Sequence, residues 1–336
     1  MLLSCGGLGC GQRSNSGGRP PPIRFAPGAG KQSFPSDPVR QRLADAGAKI
    51  GRYRHLSADD SRHESYTLVV FEQRSVIGSQ LTDVAAIPDV EIIQLKGCQV
   101  ETGAIGALRA VQRPIQLVFD QCELPSDSLS ELDSLTSIVY LSIIDTPIND
   151  KMLSQLHELP KLSVFYLRGG DVSDVGLAFL AQCPLLRDLS LVDLSLDDEQ
   201  VSQIVDAHDL HALNLRSARI TDRALKKIAT LSHLTQLRLS GCSKITDATL
   251  VNIAELSGLK SLDLSHTAIT NDGLRDLAKL GSLEELGLGY TSVTDDGLKN
   301  LSGLHLKFVG NQGTQITGVA LRSVFGDRIT YTIEPH

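Results

Sequence analysis

The sequence predicts an α/β solenoid built from stacked strand–turn–helix units, and two observations support this fold class. An apolar residue returns every 24 positions from Phe71 to Leu239, and after one inserted residue the series continues at Leu264 and Leu288. The residue two places before each member of the series is also apolar. A strict period of this length is typical of repeats that stack and bury a common core.

Each repeat contains the signals of a strand followed by a helix. With the residue of the series as position zero, positions minus two and zero alternate as the inward face of a short strand. Position plus five is again aliphatic, and positions plus ten and plus thirteen are aliphatic at helical spacing, as in Leu225 and Ile228. Polar pairs of helix-capping character lie between strand and helix: Ser173-Asp174, Thr221-Asp222, Thr246-Asp247 and Thr294-Asp295.

One stretch carries the whole pattern. Residues 234–250 read Leu-x-x-Leu-x-Leu, then Cys242, then Ile-Thr-Asp-x-x-Leu. This resembles a leucine-rich repeat of the cysteine-containing type, found in ribonuclease-inhibitor-like solenoids, and its form is similar to the bacterial type. The resemblance covers about residues 67–326. It implies a right-handed horseshoe of about 10–11 repeats, with a parallel β-sheet on the concave face and helices on the convex face.

The chain departs from many leucine-rich repeats at position plus three, where Asn is common. Cys98, Cys122 and Cys242 occupy that position here, and no Asn stands there in any repeat. Six cysteines in 336 residues do not make a disulfide framework, so we expect buried free thiols. Cys98 and Cys122 are neighbours in adjacent turns, which leaves a geometrically demanding bridge as the alternative.

The chain divides into four predicted segments. Residues 1–35 are rich in Gly, Ser and Pro and are expected to be a disordered tail or tether. Residues 36–66 are expected to form a helix–strand cap, with Ser36 as the helix cap. Repeats occupy 67–326, and 327–336 is expected to be an edge strand.

Composition bears on the classes of partner. The formal net charge is -7, which disfavours a nucleic-acid partner. No apolar run approaches the ~18 residues of a membrane helix. No motif for a catalytic, cofactor or metal site is present, so we expect a non-enzymatic protein that acts as a monomer.

The first residues leave the compartment open. Residues 2–7 read Leu-Leu-Ser-Cys-Gly-Gly, which resembles the cleavage box of a bacterial lipoprotein, but the basic and apolar segments of a signal do not precede it. As the sequence stands we expect a cytoplasmic protein. If the true start lies upstream of Met1, a secreted protein or a cell-envelope lipoprotein with Cys5 lipidated is the alternative.

The predicted concave face offers a candidate binding surface. Positions minus three, minus one, plus one and plus two of each strand are expected to point outward there. They carry apolar and aromatic residues flanked by both signs of charge, which is the composition of an interface centre. The residues expected to bind a partner are Val118, Tyr140, Ile144, Val164, Tyr166, Arg168, Asp188, Val192, Arg216 and Arg238.

The predicted function is therefore a scaffold that binds a protein or peptide on the concave sheet. Tyr140 and Tyr166 are the expected anchors. A substrate-recognition subunit of a ubiquitin ligase is one alternative, because its repeats resemble those that follow an F-box. A structural role as an envelope-anchored lipoprotein is another.

Overall fold

The computed structural model describes residues 36–54, 65–206 and 209–332 of the chain. The predicted disordered segment 1–35 lies outside the described residues, as do 55–64 of the predicted cap and 333–336 of the predicted edge strand. Contacts divide the chain into two compact units, an N-terminal unit, Met1–Ile138, and a C-terminal unit, Val139–His336.

The N-terminal unit combines longer strands with few helices. Its two α-helices are α1 (Pro38–Asp45) and α2 (Gly78–Ala85). Its strands are β1 (Lys49–Arg54), β2 (Ser65–Glu72), β3 (Ser75–Val76), β4 (Val90–Lys96), β5 (Gln99–Val100) and β6 (Ile115–Asp120). Short 3₁₀ helices replace the α-helix at Ile105–Ala110 and Ser128–Ser134.

Strand direction changes once within this unit. β2, β4 and β6 are parallel neighbours, and β3 pairs in parallel with β5, whereas β1 runs antiparallel to β2. The helix α1 begins one residue later than Ser36 implied. Asp37 is its N-cap and accepts hydrogen bonds from the amides of Val39 and Arg40 at 3.1 and 3.0 Å, because a carboxylate suits the exposed amides of a first turn.

The C-terminal unit alternates strands and short helices. Its strands are β7 (Ile138–Ile144), β8 (Val164–Arg168), β9 (Asp188–Val192), β10 (Ala212–Asn214), β11 (Gln236–Arg238), β12 (Ser261–Asp263), β13 (Glu285–Gly287), β14 (Phe308–Gly310) and β15 (Thr330–Tyr331). Its helices are α3 (Asp150–Leu153), α4 (Asp174–Leu177), α5 (Asp198–Asp206), α6 (Asp222–Ile228), α7 (Leu250–Ile253), α8 (Leu274–Leu277), α9 (Asp295–Leu298) and α10 (Gly318–Phe325). Its 3₁₀ helices are Ala178–Gln182, Asp247–Thr249 and Lys299–Leu301.

The strand register confirms the repeat predicted from the sequence. In the C-terminal unit Leu141 lies beside Phe165, which lies beside Leu189, and parallel pairing continues from strand to strand through β15. Every residue at positions minus two and zero is at most 2% exposed, in both units. The fold is therefore an α/β solenoid whose core is tiled by the predicted apolar columns.

A ladder of carboxylates links the helices of the C-terminal unit. The Asp150 carboxylate accepts hydrogen bonds from the amide and the hydroxyl of Ser173 in the next repeat, at 2.7 and 2.6 Å. The same pair of bonds joins Asp198 to Thr221, Asp222 to Thr246, Asp247 to Thr270 and Asp295 to Thr317. An Asp–Ser/Thr ladder thus binds neighbouring turns where an Asn ladder is absent, and it satisfies amides at the helix starts.

A column of left-handed residues ends the strands. The backbone angle φ is positive at position plus two in all ten repeats: Gln73, Gly97, Gln121, Asp145, Gly169, Asp193, Ser217, Gly241, His266 and Tyr290. The sequence analysis placed this position on the outward face of the strand. Instead the strand stops before it and the chain turns, which only a left-handed residue allows at this point.

Candidate functional site

Three adjacent strands of the C-terminal unit bring together most of the predicted binding residues. On the sheet face opposite the core, one row is Tyr140, Val164 and Asp188, which are direct partners in the register of β7, β8 and β9. A second row is Ser142, Tyr166 and Ser190, and a third is Ile144, Arg168 and Val192. We call these nine residues the three-strand patch. The sequence analysis missed its two serines because it searched only for apolar and charged residues.

The remaining predicted residues lie elsewhere. Arg216 follows β10, and Arg238 ends β11, both in the C-terminal unit. Val118 lies on β6 in the N-terminal unit and is 5% exposed. The structure therefore groups seven predicted residues in one patch, and the two arginines lie just after β10 and at the end of β11, the next strands of the same sheet.

The apolar part of the three-strand patch is more buried than the sequence implied. Ile144, Tyr166 and Val192 form one cluster, with exposures of 4%, 5% and 0%. Burial raises the pKa of the Tyr166 hydroxyl to about 12, so this group is neutral and able to donate a hydrogen bond throughout the physiological range. Tyr140 and Val164 in the first row are only partly buried. The patch thus has a buried floor and a more accessible side.

Charged groups frame this floor. Arg168 donates from Nε to the Asp145 carboxylate at 2.8 Å and from Nη2 to its second oxygen, a bidentate geometry that fixes the guanidinium. Asp188, at the other corner, is half-buried. Burial raises the pKa of its carboxyl above the usual range, and the nearby His211 opposes this. A cation from a partner would relieve the burial of this carboxylate.

One side of the three-strand patch, on β7, holds an unsatisfied hydroxyl. Ser142 is fully buried, and its Oγ has no hydrogen-bond partner in the described part of the chain. A buried hydroxyl without a partner costs free energy, typically about 1–3 kcal/mol. Because Ser142 has no exposed surface, its hydroxyl belongs to the floor of the patch and not to the area that a partner meets.

A cleft of about 580 Å³ lies further along the C-terminal unit. Arg216 lines it together with Ser217, Ser240, His266 and Tyr290. The rings of His266 and Tyr290 stack with centroids 4.3 Å apart and planes inclined by 13°. Both residues have left-handed backbone angles at position plus two of consecutive repeats. This shared position in the repeat would have predicted from the sequence that the two rings are neighbours.

Two further features of the described residues concern metals and membranes. Across 36–54, 65–206 and 209–332, no group of three His, Cys, Asp or Glu side chains is arranged to hold a metal ion. No helix within these ranges has the length and apolar character needed to cross a bilayer.

Known proteins share this architecture. The family model described as Leucine Rich repeat matches residues 207–229, 230–254 and 258–278. An internalin of Listeria monocytogenes (InlF) is similar in structure, with a TM-score of 0.53 and 18% identity over 83% of this chain and 92% of that chain. Internalin C2 of the same organism gives a TM-score of 0.45 and 23% identity over 61% of this chain and 84% of that chain. No curated protein sequence matches the chain.

The stacked strand–turn–helix units, the buried leucine columns and the family match over these three segments together support a leucine-rich-repeat fold. At 18% identity, the similarity to the internalin is one of fold.

Proposed function

We propose that this protein binds a protein or peptide partner on the open sheet face of its C-terminal unit, centred on the three-strand patch. The observation that carries the proposal is the patch itself, a buried apolar floor beside the partly exposed Tyr140 and Val164, with Arg168 and Asp188 at its margin. Leucine-rich-repeat solenoids typically use this sheet face for binding and act as interaction scaffolds rather than enzymes.

The roles of the individual residues follow from their exposure. Tyr140 and Val164 are partly exposed and offer apolar area to a partner. Tyr166 exposes only 5% of its surface, so it supports the floor and contributes shape more than contact area. Arg168 is held by Asp145, whereas Arg216 and Arg238 extend the surface towards the cleft. Val118 lies in the other unit and is proposed as a contact only for a partner that also engages β6.

A pair of charge-reversal variants tests the face that is used. Arg216→Glu with Arg238→Glu alters the sheet side, and Arg223→Glu with Arg275→Glu makes the same change on α6 and α8, where both side chains are more than two-thirds exposed. Partners are captured from a lysate of the source organism and identified by mass spectrometry. We expect the same partner with the wild type and the helix-side variant, and its loss with the sheet-side variant.

A second comparison tests the anchor. Tyr140→Ala is expected to weaken binding of the captured partner by about 2 kcal/mol, roughly 30-fold, if Tyr140 is a hot spot. Val251→Ala is the control, because this apolar side chain is 47% exposed and lies on the helix α7, away from the sheet face. Equal affinities of the wild type and Tyr140→Ala proteins, or a partner lost only with the helix-side variant, would reject the proposed surface.

A further inference from the structure

Two cysteines of the N-terminal unit occupy the same position in consecutive repeats. Cys98 follows β4, and Cys122 follows β6. Their backbones are direct neighbours, since the amide of Glu123 donates to the carbonyl of Cys98 at 2.8 Å and Gln99 pairs in parallel with Glu123. Parallel neighbours lie about 4.8 Å apart, inside the Cα–Cα range of about 4.4–6.8 Å that disulfides adopt.

The two thiols also contact each other. Both cysteines are reduced in the structure and buried, with exposures of 1% and 0%. The Cys122 side chain hydrogen-bonds the Cys98 sulfur. Each Sγ also lies near a carbonyl oxygen of the preceding repeat, at 3.4 Å from Phe71 for Cys98 and 3.2 Å from Leu95 for Cys122. The adjacent backbones and the contact between the side chains place the two thiols where a disulfide can form.

A cavity lies beside one cysteine of the pair. Cys98 lines a cavity of about 290 Å³ whose other walls include Gln73, Arg74, Gln121 and Glu123. Its lining is polar and carries the Arg74 guanidinium, which suits a small polar reagent. Cys122 does not line this cavity. Cys98 is therefore the member of the pair that borders the cavity, and Cys122 lies away from it.

We propose that Cys98 and Cys122 form a peroxide-reactive thiol pair that closes to a reversible disulfide. The oxidant is a hydroperoxide, with hydrogen peroxide as the smallest member of its class. The Cys98 sulfur attacks one peroxide oxygen, the O–O bond breaks, and Cys98 becomes a sulfenic acid as one water is released. The Cys122 sulfur then attacks the Cys98 sulfur, the S–OH bond breaks, and the second water leaves with the Cys122 proton. Two thiols and one peroxide thus give one disulfide and two waters.

The electrostatic environment favours Cys98 as the first thiol to react. The hydrogen bond from Cys122 lowers the pKa of Cys98 below its usual range despite burial, and backbone hydrogen bonds and the charge of Arg74 act in the same direction. The same contact and burial raise the pKa of Cys122. The thiolate is the nucleophile in such reactions, so Cys98 attacks and Cys122 resolves.

Cys242 provides a matched control within the same chain. It occupies position plus three of a repeat in the C-terminal unit, is fully buried, and lies 3.2 Å from the carbonyl oxygen of Leu215. The residues at this position in the neighbouring repeats are Ala218 and Thr267, so it has no thiol beside it. Burial raises the pKa of Cys242 to about 12. The same repeat position is therefore expected to be inert there.

The test treats the folded full-length chain with hydrogen peroxide and maps the products by proteolysis and mass spectrometry. We expect a Cys98–Cys122 linked peptide that dithiothreitol reverses, and oxidation of Cys98 at least about tenfold faster than that of Cys242. In Cys122→Ser, Cys98 should stop at the sulfenic acid and be labelled by dimedone. In Cys242→Ser, formation of the linked peptide should be unchanged.

Two outcomes would overturn the proposal. One is oxidation of Cys98 no faster than that of Cys242 in the wild-type protein, which needs no variant to fold. The other is Cys98 oxidation without a Cys98–Cys122 link, with sulfinic or sulfonic acid as the product. A circular dichroism spectrum that matches the wild type is required before the Cys122→Ser result is read.

Discussion

The two units use the same apolar columns but satisfy their helix starts from opposite directions. In the C-terminal unit a carboxylate reaches forward, as Asp222 does to the amide and hydroxyl of Thr246 in the next repeat. In the N-terminal unit a carboxylate reaches backward, because Glu131 accepts hydrogen bonds from the amides of Gly103 and Gly106 in the preceding repeat, at 2.9 and 2.7 Å. The orphan amides at a helix start must be paired, but either neighbour can supply the acceptor.

The difference explains why the repeat signature fades in the N-terminal unit without loss of the fold. The Ser/Thr-Asp pair is the visible mark of the forward ladder, and a repeat served by Glu131 does not need it. One rung of the C-terminal ladder is also replaced. In this repeat the helix cap is Asp197, which accepts a hydrogen bond from the amide of Glu199, where other repeats have Ser or Thr. The carboxylate of the preceding repeat, Asp174, therefore accepts from the side-chain amide of Gln200 at 3.1 Å. Two carboxylates cannot hydrogen-bond each other when both are ionised, so the neighbouring amide takes the role.

The largest expected effect tests whether the core is equivalent in both units. Phe119 and Phe165 are fully buried members of the apolar columns, one in each unit. Phe119→Ala and Phe165→Ala are each expected to lower the free energy of unfolding by about 3–5 kcal/mol, because each leaves a large cavity. Urea unfolding measures this. A loss below about 1 kcal/mol for either variant would show that the two cores are not equivalent.

The next effect concerns the two kinds of carboxylate link. Asp222→Ala and Glu131→Ala each leave part-buried amides without an acceptor, and we expect losses of about 2 kcal/mol. Asp222→Asn should be nearly neutral, because Asn271 already fills this position and accepts from the Thr294 amide at 2.9 Å. Asp296→Ala is the control, since Asp296 is exposed and pairs only with Lys299 across one helical turn. Equal stability of Asp222→Ala and Asp296→Ala would refute the ladder's role.

Glycine substitutions beside the two kinds of carboxylate link test how tightly each link is packed. A Cβ on Gly176 would lie 2.5 Å from the Asp150 carboxylate oxygen, whereas on Gly106 it would lie 3.4 Å from the Glu131 oxygen. Gly176→Ala is expected to cost about 1–2 kcal/mol through overpacking, and Gly106→Ala less. Gly281→Ala, where nothing lies within 4 Å, should be neutral or slightly stabilising. Thermal unfolding measures the stability of the three variants. A larger loss of stability for Gly106→Ala than for Gly176→Ala would contradict this explanation.

The smallest expected effect is the pH-dependent contribution of one carboxyl group in each unit to the free energy of unfolding. This contribution has opposite signs in the two units. Burial raises the pKa of Asp188 in the C-terminal unit, so its carboxyl favours folding below the unfolded pKa and this contribution is lost as the pH rises through the folded pKa. In the N-terminal unit burial also acts on Asp89, but a hydrogen bond from Thr67 and the charge of Arg40 outweigh it and lower the pKa. That contribution is present above the unfolded pKa and is lost on acidification through the folded pKa.

Asparagine variants measure both signs. At neutral pH, Asp188→Asn should raise the free energy of unfolding and Asp89→Asn should lower it, each by less than about 1 kcal/mol. The Asp188→Asn difference should shrink as the pH falls through the raised folded pKa towards the unfolded pKa, and the Asp89→Asn difference as the pH falls from the unfolded pKa through the lowered folded pKa. Urea unfolding across the acid range checks this, and a stabilising Asp89→Asn would contradict the assignment.

The sequence predicted the periodic parts of the molecule because they repeat a single physical requirement. Val69 and Ile93 are neighbours in the register because the same strand position must be apolar in every turn. The caps Thr221 and Thr246 were predictable from their residue types, and both accept a hydrogen bond from the amide two residues later. Thr294 is the exception, since its Oγ accepts from Asn271 instead.

Features that depend on contact across repeats were not predictable in this way. The burial of Tyr166 depends on Ile144 and Val192, which are 22 and 26 positions away in the sequence. The left-handed column was hidden because seven of its ten members are not glycine. Glu131 gave no signal, because an acid on a short 3₁₀ helix usually faces water.

The direction of the first strand bears on association between chains. A stack of parallel strands ends in an edge to which repeats of another molecule could add, with fibre growth as the result. β1 reverses that direction, and its six residues include Lys49, Arg52 and Arg54. A repeat of a second molecule added at this edge would therefore meet a strand that runs opposite to β2, β4 and β6. The reversed strand therefore makes the first turn different from the parallel repeats that follow it.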